Sequence, residues 1–99
     1  MSFTHTEQTD RLVRALLTLS TEEDGYRFLE DICTIKEIYA IAQRLEVARD
    51  LAEGCSYQRT MDRTGASSAT IGRVKRCLDY GAGGYRLVLE RIREREERG

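Results

Sequence analysis

No proline occurs in the 99 residues, and that absence leaves the chain free to be helical almost from end to end. No stretch alternates apolar and polar residues with the strict period of a half-buried strand, so the expected class is all-α. Thr9 and Asp10 read as caps of a first helix whose apolar face, Leu12, Val13, Leu16, Leu17 and Leu19, runs to about Leu19. Ser20 with Glu23 reads as a capping box opening a second helix that carries Tyr26, Phe28, Leu29 and Ile32. The same signature, Thr34 with Glu37, opens the longest helix. Its stripe of Ile35, Ile38, Ala42, Leu45, Ala48 and Ala52 ends at Gly54, and Val47 and Leu51 form a second strip, which predicts a central strut contacted on more than one side. Beyond the break Tyr80-Gly81-Ala82-Gly83-Gly84, a last helix carries Tyr85, Val88, Leu89 and Ile92. Frayed ends are expected at about 1–8 and 94–99.

The length fits one domain over residues 1–99. With 40% hydrophobic and 33% charged residues, and no run near the roughly 18 apolar residues of a membrane span, the chain reads as a globular protein with no membrane partner. Met1-Ser2-Phe3-Thr4-His5 lacks the pattern of a secretory signal, so a cytoplasmic location is expected. Cys33, Cys55 and Cys77 are too far apart for a zinc pattern and read as reduced, partly buried side chains. The sole histidine, His5, lies near the terminus, and no base–nucleophile constellation is recognisable, so neither a metal site nor an enzyme is expected.

Charge is segregated. From Tyr57 to Leu78, Arg59, Arg63, Arg73, Lys75 and Arg76 face one acid, Asp62, giving this segment a net charge of +4 and the remainder −5. A basic segment on an acidic body concentrates positive potential where phosphate can be attracted. The segment is also patterned as helix, glycine turn, helix, over about 57–80, with Gly65-Ala66-Ser67 as the joint. Gly65 supplies a positive φ, Ala66, Ile71 and Val74 face inward, and Ser67 caps the second helix. Ser68, Ala69 and Thr70 then lie at an electropositive helix start, nearest the bases of a duplex, while Arg73, Lys75 and Arg76 can reach base edges or phosphates. Gln58, Arg59 and Ser67 complete the expected DNA-binding set. Two positions depart from the usual helix-turn-helix pattern: Thr60 stands where an apolar residue is expected, and Met61 where a small one is.

The stretches Thr34 to Glu37, Ala42 to Ala48, Gly54, Tyr57 to Arg59 and Gly65 to Val74 together resemble the Trp repressor superfamily. With Asp31 to Glu37 and Leu78 to Tyr85 included, the sequence is most similar to the YerC/YecD branch of TrpR-like proteins, over roughly Leu12 to Ile92. The resemblance implies a six-helix protomer, an intertwined homodimer, and operator DNA as partner. Helix-turn-helix docking and water-mediated operator contact are described for the Trp repressor itself. It also implies an effector site, because Thr34, Arg44 and Arg73 match the threonine and the two arginines that hold the indole of L-tryptophan in that relative. Against this, Val74 stands where the Trp repressor itself has a glycine beside the indole and Cys77 where it has a serine, so the resemblance implies that added volume closes the pocket. No cofactor is therefore expected, with L-tryptophan or another small effector as the alternative. Thr34 is equally explained by capping, and Arg44 by pairing with neighbours such as Glu37.

The functional expectation is a sequence-specific DNA-binding transcriptional regulator, a repressor acting by promoter occupancy. The alternative is a helical protein–protein interaction module without specific DNA binding, which Thr60 and Met61 favour. A homodimer is expected because one helix-turn-helix covers one half-site, although Leu16, Leu17, Phe28, Leu29 and Ile32 could equally complete a monomer core.

Overall fold

A computed structural model describes residues 3–99 and contains six helices, with no strand among the described residues. They are α1 (Glu7–Leu16), α2 (Glu22–Ile32), α3 (Ile35–Ala52), α4 (Tyr57–Thr64), α5 (Ser68–Tyr80) and α6 (Gly84–Arg98). The chain divides into two compact units, residues 3–39 and 40–99, and the division falls inside α3. No helix is long and apolar enough to cross a membrane.

In the first unit the caps differ from the sequence expectation. Thr6, not Thr9 or Asp10, caps α1. Its hydroxyl accepts from the Thr9 N–H at 3.1 Å while the Thr9 hydroxyl accepts from the Thr6 N–H at 2.8 Å, so the helix starts a turn earlier than the apolar pattern indicates. It also ends earlier, at Leu16, followed by a turn. Thr21, not Ser20, caps α2, its hydroxyl accepting from the Asp24 N–H at 3.1 Å. Two adjacent hydroxyl residues, each with an acid three positions on, make the signature ambiguous by one residue. The Thr34 box forms as its spacing predicts: the Thr34 hydroxyl accepts from the Glu37 N–H at 3.1 Å, and the Glu37 carboxylate accepts from the Thr34 N–H at 2.8 Å.

The core of the second unit is small. Val47 and Ala48 of α3, Ala66 of the turn, and Ile71, Val74 and Leu78 of α5 are buried, with Leu51, Met61, Tyr85 and Leu89 packed against them. Of the stripe expected to dominate α3 only Ala48 is buried, and it packs together with the second strip, Val47 and Leu51. Ile35, Ala42 and Ala52 are exposed, and the helix turns Val47, Ala48 and Leu51 toward the core. An 18-residue helix with apolar residues on several sides has no unique stripe, and the neighbour decides which is used. At the chain ends, α1 already begins at Glu7 and α6 continues to Arg98.

Thr60 is fully buried on α4, and its hydroxyl has no hydrogen-bond partner among the described residues. A buried hydroxyl without a partner carries its desolvation cost uncompensated. Thr60→Val, which keeps the shape, is expected to raise the unfolding free energy by about 1 kcal/mol in urea titration. A loss would show that the hydroxyl is satisfied. Hydrogen bonds from the Thr34 N–H and then its hydroxyl hold the Glu37 carboxyl below its ordinary value. A lowered carboxyl favours the folded state above the ordinary glutamate range, and that contribution fades as pH falls through the lowered value. The stability difference between the wild type and Glu37→Ala is accordingly expected at neutral pH and to vanish on acidification.

Candidate nucleic-acid interface

The site is built on α4, the turn and α5, which pack directly on one another. Ser56 caps α4 by accepting from the Arg59 N–H at 3.1 Å, and α4 stops at Gly65, whose φ of 74° is open to glycine and strained for most other residues. Ser67 then caps α5, accepting from the Thr70 N–H at 3.2 Å. Ala66 is buried between these two caps, so the turn is anchored as well as bent.

The joint is fastened to α3 by polar groups that sequence reasoning missed. Arg63, counted above among the free cations, donates to the Asp50 carboxylate at 2.7 Å, to the Glu46 carboxylate at 3.1 Å and to the Glu46 carbonyl at 3.4 Å. Asp50 is 4% exposed, so Arg63 stands where water would otherwise meet its carboxylate. Hydrogen bonds to Asp50 and then to Glu46 push the Arg63 guanidinium above its ordinary value. Gln43 donates to the Thr64 carbonyl at 3.2 Å, one residue before the turn glycine. Gln43, Glu46 and Asp50 are spaced three and four apart, one line along α3 that meets the end of α4.

The inner line of α5 is Ile71, Val74 and Leu78. At 100° per residue the opposite line is Ala69, Gly72, Arg73, Arg76 and Tyr80. Arg73 and Arg76 are exposed, as is Arg59 on α4, and none of the three makes an ion pair among the described residues. Lys75 lies to the side, half-buried, and its Nζ is 3.4 Å from Asp79, which is also 3.6 Å from Arg86 of α6. Ser68 and Ala69 are exposed at the helix start, whereas Thr70 is half-buried and within 3.1 Å of the Ser67 hydroxyl. Gln58 is exposed, and its amide donates to Asp62 at 3.0 Å. The three small residues expected nearest a duplex are thus not equivalent: Ala69 faces outward and Thr70 does not. Tyr80, exposed, and Gly72, half-buried on its flank, are absent from the expected set but belong to the outward line, and their signal was the same period that put Ile71 and Val74 inside.

The whole pattern of helices and turn matches known proteins. The family model described as Trp repressor protein aligns with residues 7–93. The chain belongs to the Trp repressor family. It is 51% identical over 90 residues to YerC of Bacillus subtilis (strain 168), a protein of uncharacterized function, covering 91% of this chain and 86% of that one. A candidate Trp repressor from Staphylococcus aureus superposes with a TM-score of 0.87 at 40% identity, covering 90% of this chain and 89% of that one. A TrpR-like protein from Eubacterium eligens ATCC 27750 gives a TM-score of 0.85 at 46% identity, covering 88% and 90%. The six-helix, all-α TrpR-like protomer is therefore the fold of this chain.

Within that Trp repressor fold the positions matched to the effector site are occupied as follows. Thr34 is engaged in the cap of α3, and Arg44 is half-buried without an ion pair among the described residues, so the expected pairing with Glu37 is not formed. Val74, one of the two residues expected to fill the pocket, is 1% exposed and part of the core. Cys33 and Cys55 are half-buried, as expected of small thiols, but Cys77 is exposed on α5.

Arg63→Met strands the Asp50 carboxylate, while Asp50→Asn frees a guanidinium that still has Glu46 and water. Thermal unfolding is expected to show the larger loss for Arg63→Met. Equal or reversed losses would remove the clamp from the account of how α4 is held.

Proposed function

We propose that the protein is a sequence-specific regulator that binds double-stranded DNA as a homodimer, with α5 as the reading helix. The observation that carries this reading is the outward line of α5, where Arg73 and Arg76 stand without acidic partners beside Ala69 and Gly72. Small residues allow a helix to approach base edges, and unpaired arginines meet phosphates or guanine edges. Membership of the Trp repressor family supports the same reading. Arg59, near the start of α4, is positioned for phosphate, and Ser68 and Gln58 flank the reading line. Occupying a promoter would make such a protein a repressor, acting where DNA is, in the cytoplasm.

Apolar surface at α1 supports the dimer. Leu12, Val13 and Leu16 of α1 and Leu17 just after it are all exposed, Leu17 at 79%. Surfaces of this kind are normally covered by another chain. The placement of Val74 in the core and of Thr34 in a cap supports regulation without L-tryptophan.

The test is binding of duplex fragments selected from genomic DNA, measured across a salt series with the mass of the free protein alongside. Arg76→Ala is expected to weaken binding to all duplexes and to lower the slope of log affinity against log salt by about 0.9, one phosphate contact. Leu16→Asp is expected to give a monomer with no specific retention. Retention of a protein partner, with no preference between selected and random duplex, would favour the interaction-module reading, for which the buried Thr60 and the partly buried Met61 at the α4–α5 joint speak. Saturating tryptophan is expected to leave the unfolding midpoint unchanged, where a ligand at about 100 times its Kd would add about 2.7 kcal/mol.

A further inference from the structure

Gly72 has no explanation inside this chain. It is the fifth residue of the 13-residue α5, an interior position where glycine is the poorest choice after proline because it orders the most backbone. The usual reason for such a glycine is a left-handed backbone, but the glycines with positive φ are Gly54, Gly65 and Gly83, so Gly72 has a conformation alanine adopts readily. The other usual reason is a crowded neighbour, yet a Cβ built at Gly72 meets nothing within 4 Å. Alanine would therefore fit and would favour the helix.

Three features of the surroundings say where the constraint lies. Gly72 is half-buried on the flank of the line opposite Ile71, Val74 and Leu78, and the space where its Cβ would stand is open. Ala69, one turn before it, is the next smallest side chain and is exposed. Arg73 and Arg76, adjacent and one turn on, carry charges unpaired among the described residues. A low point in the helix surface bordered by free guanidinium groups fits a partner that is both close to the backbone and anionic. Losing the Cα–Cβ bond lets the helix axis lie closer by up to about 1.5 Å, a carbon–carbon bond length.

From this placement we infer that Gly72 sets the depth of α5 in the groove: it is the point where the helix backbone itself comes into van der Waals contact with the duplex. The inference rests on the DNA-binding reading above and adds a specificity-determining residue to it. It makes stability and binding move in opposite directions at one position, because what favours the free helix obstructs the complex.

The experiment compares wild type, Gly72→Ala, Gly72→Leu and Arg76→Ala in thermal unfolding, in the mass of the free protein, and in affinity for the selected genomic fragment and for mixed-sequence duplex. Gly72→Ala is expected to raise the unfolding midpoint by about 4 °C. The same change is expected to weaken binding to the selected fragment about tenfold, with Gly72→Leu weaker still and the salt slope of both unchanged. Unaltered affinity in Gly72→Ala, beside a wild type that binds and an Arg76→Ala that does not bind as well, would overturn the inference and leave the DNA reading standing. A lowered midpoint would assign Gly72 to packing, and a changed mass would assign it to contact with a second copy; either result overturns the inference. If the wild type retains neither duplex at low salt, the DNA reading itself falls.

Discussion

The arginine of α4 that reaches back to α3 is the contact on which the geometry of the site depends. Arg63 meets Asp50 at 2.7 Å, and Asp50 is nearly inaccessible, so the carboxylate has little water to turn to if the helix shifts. Pairing of this kind adds little net stability relative to an apolar pair of the same shape, since both charges are taken from water. Its effect is directional. A planar guanidinium that satisfies Asp50, the Glu46 carboxylate and the Glu46 carbonyl at once admits few orientations of the end of α4. Gln43 adds a hold on the Thr64 carbonyl. With the end of α4 fixed, Gly65 at a φ of 74° and the buried Ala66 determine how the chain leaves for α5.

That geometry also redistributes the charge. A count along the chain assigns five cations to the basic segment, but Arg63 is spent on α3 and Lys75 lies against Asp79. The unpaired positive charge is narrower than composition implies: Arg73 and Arg76 on one line of α5, and Arg59 on α4. Asp79 in turn meets Arg86, and the Arg86 Nε donates to the Leu78 carbonyl at 3.0 Å, so the end of α5 is tied to α6 by the same kind of contact that ties α4 to α3. α5 is thus capped by Ser67 at its start, tied to α6 by the Asp79–Arg86 pair at its end, and held along its inner side by Ile71, Val74 and Leu78.

What could be read from the sequence follows from how local each signal is. Gly65 at the turn, the Ser67 cap, the inward Ala66, Ile71 and Val74, and the Thr34–Glu37 box are matters of residue type at fixed short spacing, and they stand where the spacing put them. The first two caps slipped because Thr6, Thr9, Ser20 and Thr21 are chemically interchangeable at that level. On α3 both strips were legible, but which of them carries the core was not, because the helix is apolar on several sides and its core partners on α5 lie far along the chain. Asp50 was invisible for the same reason. An acid near a helix end reads as solvated, and only the approach of Arg63, 13 residues later, makes it a buried partner. Within α5, a period of 100° separates Ala69 and Gly72 from Thr70, but residue type alone ranked all small polar residues together.

The proposed independence from L-tryptophan turns on Val74. A glycine beside a flat ligand leaves a gap that the ligand fills. An isopropyl group at the same place completes the packing by itself, and here it is 1% exposed among Val47, Ala48 and Ile71. The core then needs no guest to be whole, and the order of α5 is set by side chains always present. Thr34 has likewise been committed to the start of α3, where its hydroxyl accepts the Glu37 N–H. Of the retained arginines, Arg44 is half-buried and Arg73 is exposed on the outward line of α5, and neither makes an ion pair among the described residues. A fold can keep its charged frame while the cavity inside the frame is filled, and control of such a regulator would then lie in its abundance or its dimer equilibrium rather than in a ligand that orders the reading helix.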